Sequence, residues 1–274
     1  MTRQPATPST DLAPEVLAES LHPRTVRSYP ALLSTEATAM AWARQDAPDG
    51  AVVVADYQAS PRGRAGLPWV VRPGRGLGAT LVLRPELPPA REGWPYVPAL
   101  LGLLDAVGEP SDTAGEAVAT LSWPDTVLSG AGETLASLGV YVELGPDLTR
   151  WLTATFLVEA AAPPRDALLR EVLDAVERRM EQTVEQVLTD YLPRCSTLGQ
   201  QVRARLIPMG ADGPEVNGEA VDVLADGALV VRTARGIRVA VPPQNLGLLE
   251  PPAPAVTVPE RLFGHRHGRP VVTD

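Results

Sequence analysis

A run of apolar residues at helical spacing divides this chain into two parts of different character. Pro163 and Pro164 stand at its start, where proline favours the first turn of a helix, and Pro193 follows its end. The apolar positions of the run are Leu169, Val172, Val176, Met180, Val184, Val187 and Tyr191. Their recurrence every three or four residues predicts one long helix with a buried face.

The part before this helix mixes helical and strand-like patterns. Residues 34–47 and 94–110 read as helices, and Ser34 or Thr35 is the expected N-cap of the first. Runs rich in β-branched residues predict strands at 50–58 and 77–85, with others within 117–130, 135–145 and 148–160. The predicted fold class is therefore α+β, a mixed β-sheet with packed helices.

The part after the helix contains only short alternating strands and turn signals such as Ala225-Asp226-Gly227. This pattern predicts a small antiparallel barrel. The predicted organisation is a disordered tail at 1–20, a large domain at 21–194, the barrel at 195–250 and a second tail at 251–274. Two histidines in that last tail, His265 and His267, are read as solvated residues in preference to metal ligands.

Composition excludes several classes of protein. The net charge of −9 argues against a general nucleic-acid binder, which needs a basic surface. No apolar run reaches the roughly 18 residues of a membrane span, and the N-terminus lacks an apolar signal core, so a cytoplasmic protein with no membrane partner is expected. Cys195 is the one cysteine, which excludes an internal disulfide and favours an inert thiol over a nucleophile.

All 24 basic residues are arginine, and the chain has no lysine. A GC-rich coding bias explains this, because it replaces lysine with arginine. A functional explanation is the alternative, since a protein that handles activated acyl groups benefits from offering no lysine to acylate.

A glycine- and arginine-bearing connector between two predicted strands carries the most specific pattern in the chain. Residues 58–69 read QASPRGRAGLPW. They resemble a motif of the biotin protein ligase family, Gln-x-x-Gly-Arg-Gly-Arg-x-Gly-x-x-Trp. The matching positions are Gln58, Arg62, Gly63, Arg64, Gly66 and Trp69. The alternative is a surface loop that is rich in arginine and glycine and binds no ligand.

Other segments extend this resemblance over roughly residues 30–250. Ser34-Thr35-Glu36 resembles the family's Ser-Thr-Asn, and residues 122–126 resemble its Lys-Trp-Pro-Asn-Asp. Residues 136–143, which include Gly139, resemble its Lys-Leu-Ala-Gly-Ile-Leu-Val-Glu. The resemblance implies a class II synthetase-like catalytic domain followed by an SH3-like barrel, of the type without a DNA-binding domain.

The family's activity is implied in the same way. Biotin and ATP, with Mg²⁺, give biotinyl-adenylate, and the acyl group then passes to a lysine of a biotin carboxyl carrier protein. The resemblance assigns phosphate contacts to Arg62 and Arg64, and a metal to Asp125. It assigns substrate binding to Ser34, Thr35, Gln58, Gly63, Gly66, Trp69 and Gly139. Family members often pair through an exposed sheet edge, so a homodimer is also expected.

The chain differs from the family at positions that the resemblance implies are needed for the reaction. The family's two lysines are matched by Ser122 and Ala136, and its Gly-x-Gly-x-Asn-x-Asn strand is matched by residues 153–159, where every signature residue differs. Loss of one preorganised donor typically lowers a rate by about 10²–10³. Three hypotheses remain open: a working ligase, a family member that binds an acyl group or nucleotide without catalysis, and a protein-interaction module.

Overall fold

A seven-stranded mixed sheet with helices on both faces forms the larger unit of the structure. The computed structural model describes residues 10–66, 68–69, 76–108, 118–159, 164–210 and 213–252. The elements of the larger unit are α1 (Pro14–Ser20), β1 (Val26–Tyr29), α2 (Thr35–Ala43), β2 (Ala51–Ala55), β3 (Leu77–Leu83), α3 (Tyr96–Val107), β4 (Thr120–Ser122), β5 (Thr126–Leu128), β6 (Thr134–Leu144), β7 (Thr149–Val158), α4 (Arg165–Met180) and α5 (Val184–Tyr191).

The strand order is β1-β2-β3-β7-β6-β5-β4. β1 and β2 are parallel, and the other neighbours are antiparallel, so the sheet is mixed as predicted. One face joins α1, α3 and α4 in the main apolar core. The other face packs against α2 in a smaller cluster around Trp42 and Trp151. The α+β prediction is confirmed.

Two sequence predictions for this unit are wrong. Residues 10–20, assigned to a disordered tail, contain a 3₁₀ turn and α1, because Leu12 and Leu17 are buried in the main core. The long helix expected up to Tyr191 is two helices. Thr183 forms a capping box with Gln186 and so begins α5 as a separate helix. Residues 1–9 lie outside the described part of the chain.

The smaller unit is a five-stranded antiparallel sheet, which is compatible with an SH3-like domain. Its strands are β8 (Gln201–Leu206), β9 (Glu215–Val223), β10 (Leu229–Arg232), β11 (Arg238–Val241) and β12 (Leu246–Glu250), in the order β11-β10-β9-β8-β12. It docks on the larger unit through Trp123, whose Nε1 donates to the Gly227 carbonyl at 3.0 Å. Gly227 and Gly93 approach so closely that a Cβ on Gly227 would lie 2.3 Å from the Gly93 oxygen.

Three further predictions concern the single cysteine, membrane-spanning helices and the C-terminal tail. Cys195 is buried at 6% exposure, and burial raises the pKa of its thiol, as expected for an inert side chain. Within the described ranges, no helix combines the length and apolar character that crossing a membrane requires. The second predicted tail, with His265 and His267, lies outside the described residues apart from 251–252.

Candidate functional site

A chain of buried polar side chains crosses the sheet face beneath the N-terminus of α2. The Thr35 backbone N–H and its Oγ1 both donate to Gln58 Oε1, at 2.8 and 3.1 Å. Thr80 Oγ1 donates to Thr35 Oγ1 at 3.0 Å, and the hydroxyls of Thr80 and Thr155 are also 3.0 Å apart. Exposure of these four side chains is 6% or less. A buried polar network of this kind holds its members rigidly.

The cap of α2 and the register of the sheet bring these residues together. Ser34 is extended and caps α2, accepting from the Ala37 N–H at 3.4 Å, so Thr35 occupies the first turn of the helix. Strand alternation places Thr80 of β3 on the α2 face, and antiparallel register sets it opposite Thr155. Thr155 in turn pairs with Gly139 of β6, which continues the row toward the loop that follows β2.

That loop lies directly on β6. A Cβ added to Gly139 would lie 3.0 Å from the carbonyl carbon of Gly63 and 3.1 Å from the Arg64 nitrogen. A Cβ on Gly63 would lie 2.2 Å from the Trp69 indole nitrogen, so the indole covers this glycine. Glycine at position 139 therefore lets the loop backbone approach β6, and glycine at position 63 leaves room for the Trp69 indole. The structure brings these three predicted site residues together, with Trp69 as a packing residue.

Arg62 and Gly66 form the outer turn of the loop. Arg62 is exposed, and its Nη1 donates to the Gly66 carbonyl at 3.0 Å. Gly66 adopts φ +71°, a left-handed conformation that favours glycine. Arg62 also lies close enough to Glu36 to lower the pKa of that carboxyl, although burial outweighs this effect and the pKa is raised overall.

Arg64 points toward the barrel. Its Nε is 2.8 Å from Asp125 Oδ2, Nη1 donates to the Leu246 carbonyl, and Nη2 donates to the Gly247 carbonyl at 3.4 Å. The Arg64 side chain is 5% exposed and the Asp125 side chain 24% exposed. All three guanidinium nitrogens have protein partners, so this side chain joins the loop to the barrel. The phosphate contact of Arg64 stays a prediction.

Asp125, the predicted metal ligand, has protein partners at both carboxylate oxygens. One carboxylate oxygen is paired with Arg64, and the other accepts from Thr126 Oγ1 at 3.1 Å. Among the residues that the structure describes, no group of three His, Cys, Asp or Glu side chains is placed to hold a metal ion. The adjacent arginine also opposes a cation at this carboxylate by direct charge repulsion.

The two positions that match the family's lysines differ in their surroundings. Ala136 is completely buried and pairs with Val158 on the main-core face of the sheet, opposite to the face that carries Gly139. Ser122 is half-buried at the end of β4. Neither position presents a cation to the row of polar side chains.

Sequence reasoning missed several residues of this site. Thr80 and Thr155 were not singled out, although alternation along β3 and β7 places them on the face that carries Gly78 and is covered by α2. The barrel carbonyls of Leu246 and Gly247 carry no signal in the sequence, because any residue type supplies a backbone oxygen.

Comparisons with curated proteins find two relatives that align with most of the chain. No protein-family model matches the chain. It is 29% identical over 218 residues to the biotin–[acetyl-CoA-carboxylase] ligase of Mycobacterium tuberculosis, covering 72% of this chain and 79% of the relative. It is 26% identical over 238 residues to the bifunctional ligase/repressor BirA of Bacillus subtilis, covering 76% and 69% respectively.

Solved structures share the fold. A biotin protein ligase from Aquifex aeolicus in complex with biotin and ATP superposes with a TM-score of 0.58 at 18% identity, covering 83% of this chain and 99% of that one. A biotin protein ligase-like protein of unknown function from a Silicibacter species has a TM-score of 0.58 at 18% identity, covering 81% and 95%. The loop motif, the fold and the curated relatives are all similar to those of the biotin protein ligase family.

Proposed function

We propose that this protein binds a biotin-like acyl compound beneath the N-terminus of α2, and that the ATP-dependent part of the family's reaction is weak or absent. The observation that carries the proposal is the engagement of Arg64. Its guanidinium is held by Asp125 and by two barrel carbonyls, so it is not free to contact a phosphate.

Acyl binding is supported by the buried polar cluster. Thr35 and Gln58, the residues that the resemblance assigns to the acyl head, are joined by two hydrogen bonds at the end of a helix. Preorganised polar groups beside apolar surface are the usual composition of a small-molecule site. The loop that bears Gly63 lies across the adjacent strand, so its backbone would cover a ligand bound there.

The charged side chains near the loop support weak adenylation. Attack of a carboxylate on a phosphate brings two anions together, so it needs positive charge aimed at the reacting atoms. The chain has no lysine, and Arg62 is the one guanidinium in the described part of the loop that forms no salt bridge. Glu36, part-buried in the first turn of α2, adds negative charge nearby.

Biotin–protein ligation is the second candidate. The alignment with the Mycobacterium tuberculosis ligase over most of both chains favours it. This candidate requires ATP, Mg²⁺, biotin and a biotin carboxyl carrier protein. It also requires phosphate contacts from side chains other than Arg64, or a conformation in which Arg64 leaves Asp125.

Two measurements on the full chain distinguish these candidates. Biotin-dependent exchange of labelled pyrophosphate into ATP reports adenylation, and calorimetric titration with biotin reports binding. We expect binding that Gln58→Ala weakens at least about tenfold, or 1.4 kcal/mol, with exchange at least about 10²-fold below the Mycobacterium tuberculosis enzyme assayed in parallel.

Exchange at a rate similar to that enzyme would establish ligase chemistry and refute the proposed loss. Absence of both exchange and binding would refute the acyl site and favour a protein-interaction role. The Thr153→Val variant is the matched control for Gln58→Ala, because Thr153 is buried on the same sheet face without a hydrogen-bond partner among the described residues.

A further inference from the structure

Arg165, the first residue of α4, is a charged side chain with no exposed surface. Its Nη2 donates to Asp11 Oδ1 at 2.8 Å and to Asp56 Oδ1 at 2.6 Å. Its Nε and its backbone N–H both donate to Asp11 Oδ2, at 3.0 and 2.8 Å, and Nη1 donates to the Gly76 carbonyl at 3.1 Å. A buried charge is tolerated only when it is paired and hydrogen-bonded, so these three residues keep the guanidinium buried.

The loop between β2 and β3 begins and ends at two partners of Arg165. Asp56 directly follows β2, and Gly76 directly precedes β3. Gly76 also packs closely on the end of β7, since a Cβ there would lie 3.1 Å from the Val158 carbonyl oxygen. Between these ends lies the segment whose Gly63 contacts β6 and would cover a ligand in the proposed site. One guanidinium therefore holds the base of this loop on both sides.

The third partner of Arg165 belongs to the N-terminal segment. Asp11 lies in the 3₁₀ turn Thr10–Leu12, where Leu12 is buried in the main core and its carbonyl accepts a hydrogen bond from Ser28 Oγ. Asp11 accepts three of the five hydrogen bonds that Arg165 donates, and its side chain is 10% exposed. Because water screens little of this ion pair, the orientation of the guanidinium toward the loop depends on the N-terminal segment.

We propose that Arg165 is a positioning residue for the candidate site, because it fixes the base of the loop that would cover a bound acyl compound, and that Asp11 makes this positioning depend on the N-terminal segment. This inference rests on the proposed acyl site and adds the group that orients its cover. Arg165→Lys keeps one positive charge, but a single ammonium cannot reproduce a planar fork with partners on three sides. Loss of the fork leaves Asp11 and Asp56 as two neighbouring carboxylates that repel each other.

The ion pairs between Arg24 and α4 provide a matched control. Arg24 pairs with Glu177 and Asp174, so it also joins one guanidinium to two carboxylates. Its Nη1 lies 3.8 Å from the position of a Cβ on Gly50, which precedes β2, so these ion pairs are at the opposite end of β2 from Asp56. Arg24→Lys should therefore lower stability without affecting the loop.

Hydrogen exchange of the full chain, followed by mass spectrometry, measures the loop directly. We expect peptides within residues 57–66 to exchange at least about tenfold faster in Arg165→Lys than in the unmodified protein, because the base of the loop is no longer held. Calorimetry should give a biotin dissociation constant at least about tenfold higher in Arg165→Lys. Arg24→Lys should leave both quantities within about twofold of the unmodified protein, at a temperature where urea denaturation shows every variant to be folded.

Asp11→Asn and Asp174→Asn form a second matched pair, which decides the question if Arg165→Lys does not fold. Each removes the charge of one carboxylate from an arginine that keeps another. Of the two, only Asp11→Asn should accelerate exchange within residues 57–66 and weaken biotin binding, each by about threefold or more.

The inference and the proposed function can fail separately. Equal loop exchange in Arg165→Lys and Arg24→Lys would overturn the inference, and so would faster exchange with unchanged biotin affinity. Absence of biotin binding by the unmodified protein, together with faster loop exchange in Arg165→Lys, would refute the proposed acyl site while the role of Arg165 in holding the loop stands. Unchanged exchange in Asp11→Asn would overturn the dependence on the N-terminal segment.

Discussion

Replacement of Arg64 by alanine tests whether this side chain joins the loop to the barrel. The substitution removes the ion pair with Asp125 and the hydrogen bonds to the carbonyls of Leu246 and Gly247. The aspartate and both carbonyls lose their donor. Because the Arg64 side chain is only 5% exposed, water replaces few of these interactions without local opening.

The expected cost follows from the partners that are left behind. Hydrogen bonds to charged groups contribute about 1.5–3 kcal/mol, and loss of one member of a buried ion pair costs about 3–5 kcal/mol. The 24% exposure of the Asp125 side chain lets water screen part of that charge, so the upper values do not apply. We expect Arg64→Ala to lower the free energy of unfolding by about 2–4 kcal/mol.

Urea denaturation followed by tryptophan fluorescence measures this change. Arg62→Ala is the matched control, since Arg62 lies in the same loop, is exposed and makes a single hydrogen bond to Gly66. We expect the control to cost no more than about 0.5 kcal/mol. An unchanged dependence on urea concentration in both variants would show that the unfolded states are comparable.

Equal, small losses for both variants would refute the junction role of Arg64. Loss of ATP binding in Arg64→Ala without loss of stability would also contradict the proposed function. That result would restore the predicted phosphate contact, and the proposal of weak adenylation would lose its main support.

Three further predictions concern the same region. Burial raises the folded-state pKa of Glu36, so the stability of the unmodified protein falls as pH rises above the ordinary glutamate pKa. Glu36→Gln should therefore gain stability relative to the unmodified protein as pH rises through that range, measured by urea denaturation at each pH, and equal pH dependence of the two proteins would contradict this. Trp123→Phe removes the 3.0 Å hydrogen bond to Gly227 and should cost about 1–2 kcal/mol, and an unchanged melting temperature would contradict this contact between the units. Gly139→Ala places a Cβ 3.0 Å from Gly63 and should displace the loop, which calorimetry with biotin would detect as weaker binding; equal affinity would show that the loop does not cover the ligand.

Much of the fold was predictable because its signals are local. The β-branched runs that became β2 and β3 and the cap at Ser34 each depend on residues close in sequence. The break between α4 and α5 had a local signal too, since Thr183 and Gln186 have the spacing of a capping box. That signal was missed because the apolar stripe continues across it.

The site was predictable in part. The resemblance assigned Thr35, Gln58, Gly63 and Gly139 to substrate binding, and the structure places Thr35 against Gln58 and Gly63 against Gly139. It did not anticipate the orientation of Arg64. The motif fixes where this side chain starts, but its partners in the barrel are 182 and 183 residues away along the chain.

The amino-acid sequence by itself determined the loop motif and most of the elements and their order, because hydrophobic periodicity, capping and glycine placement act over a few residues. Tertiary structure alone decided the partners of Arg64 and the direction of the hydroxyl chain that ends at Gln58. Buried donors and acceptors must find partners wherever folding brings them, and those partners come from distant strands and from backbone atoms that no residue type reveals.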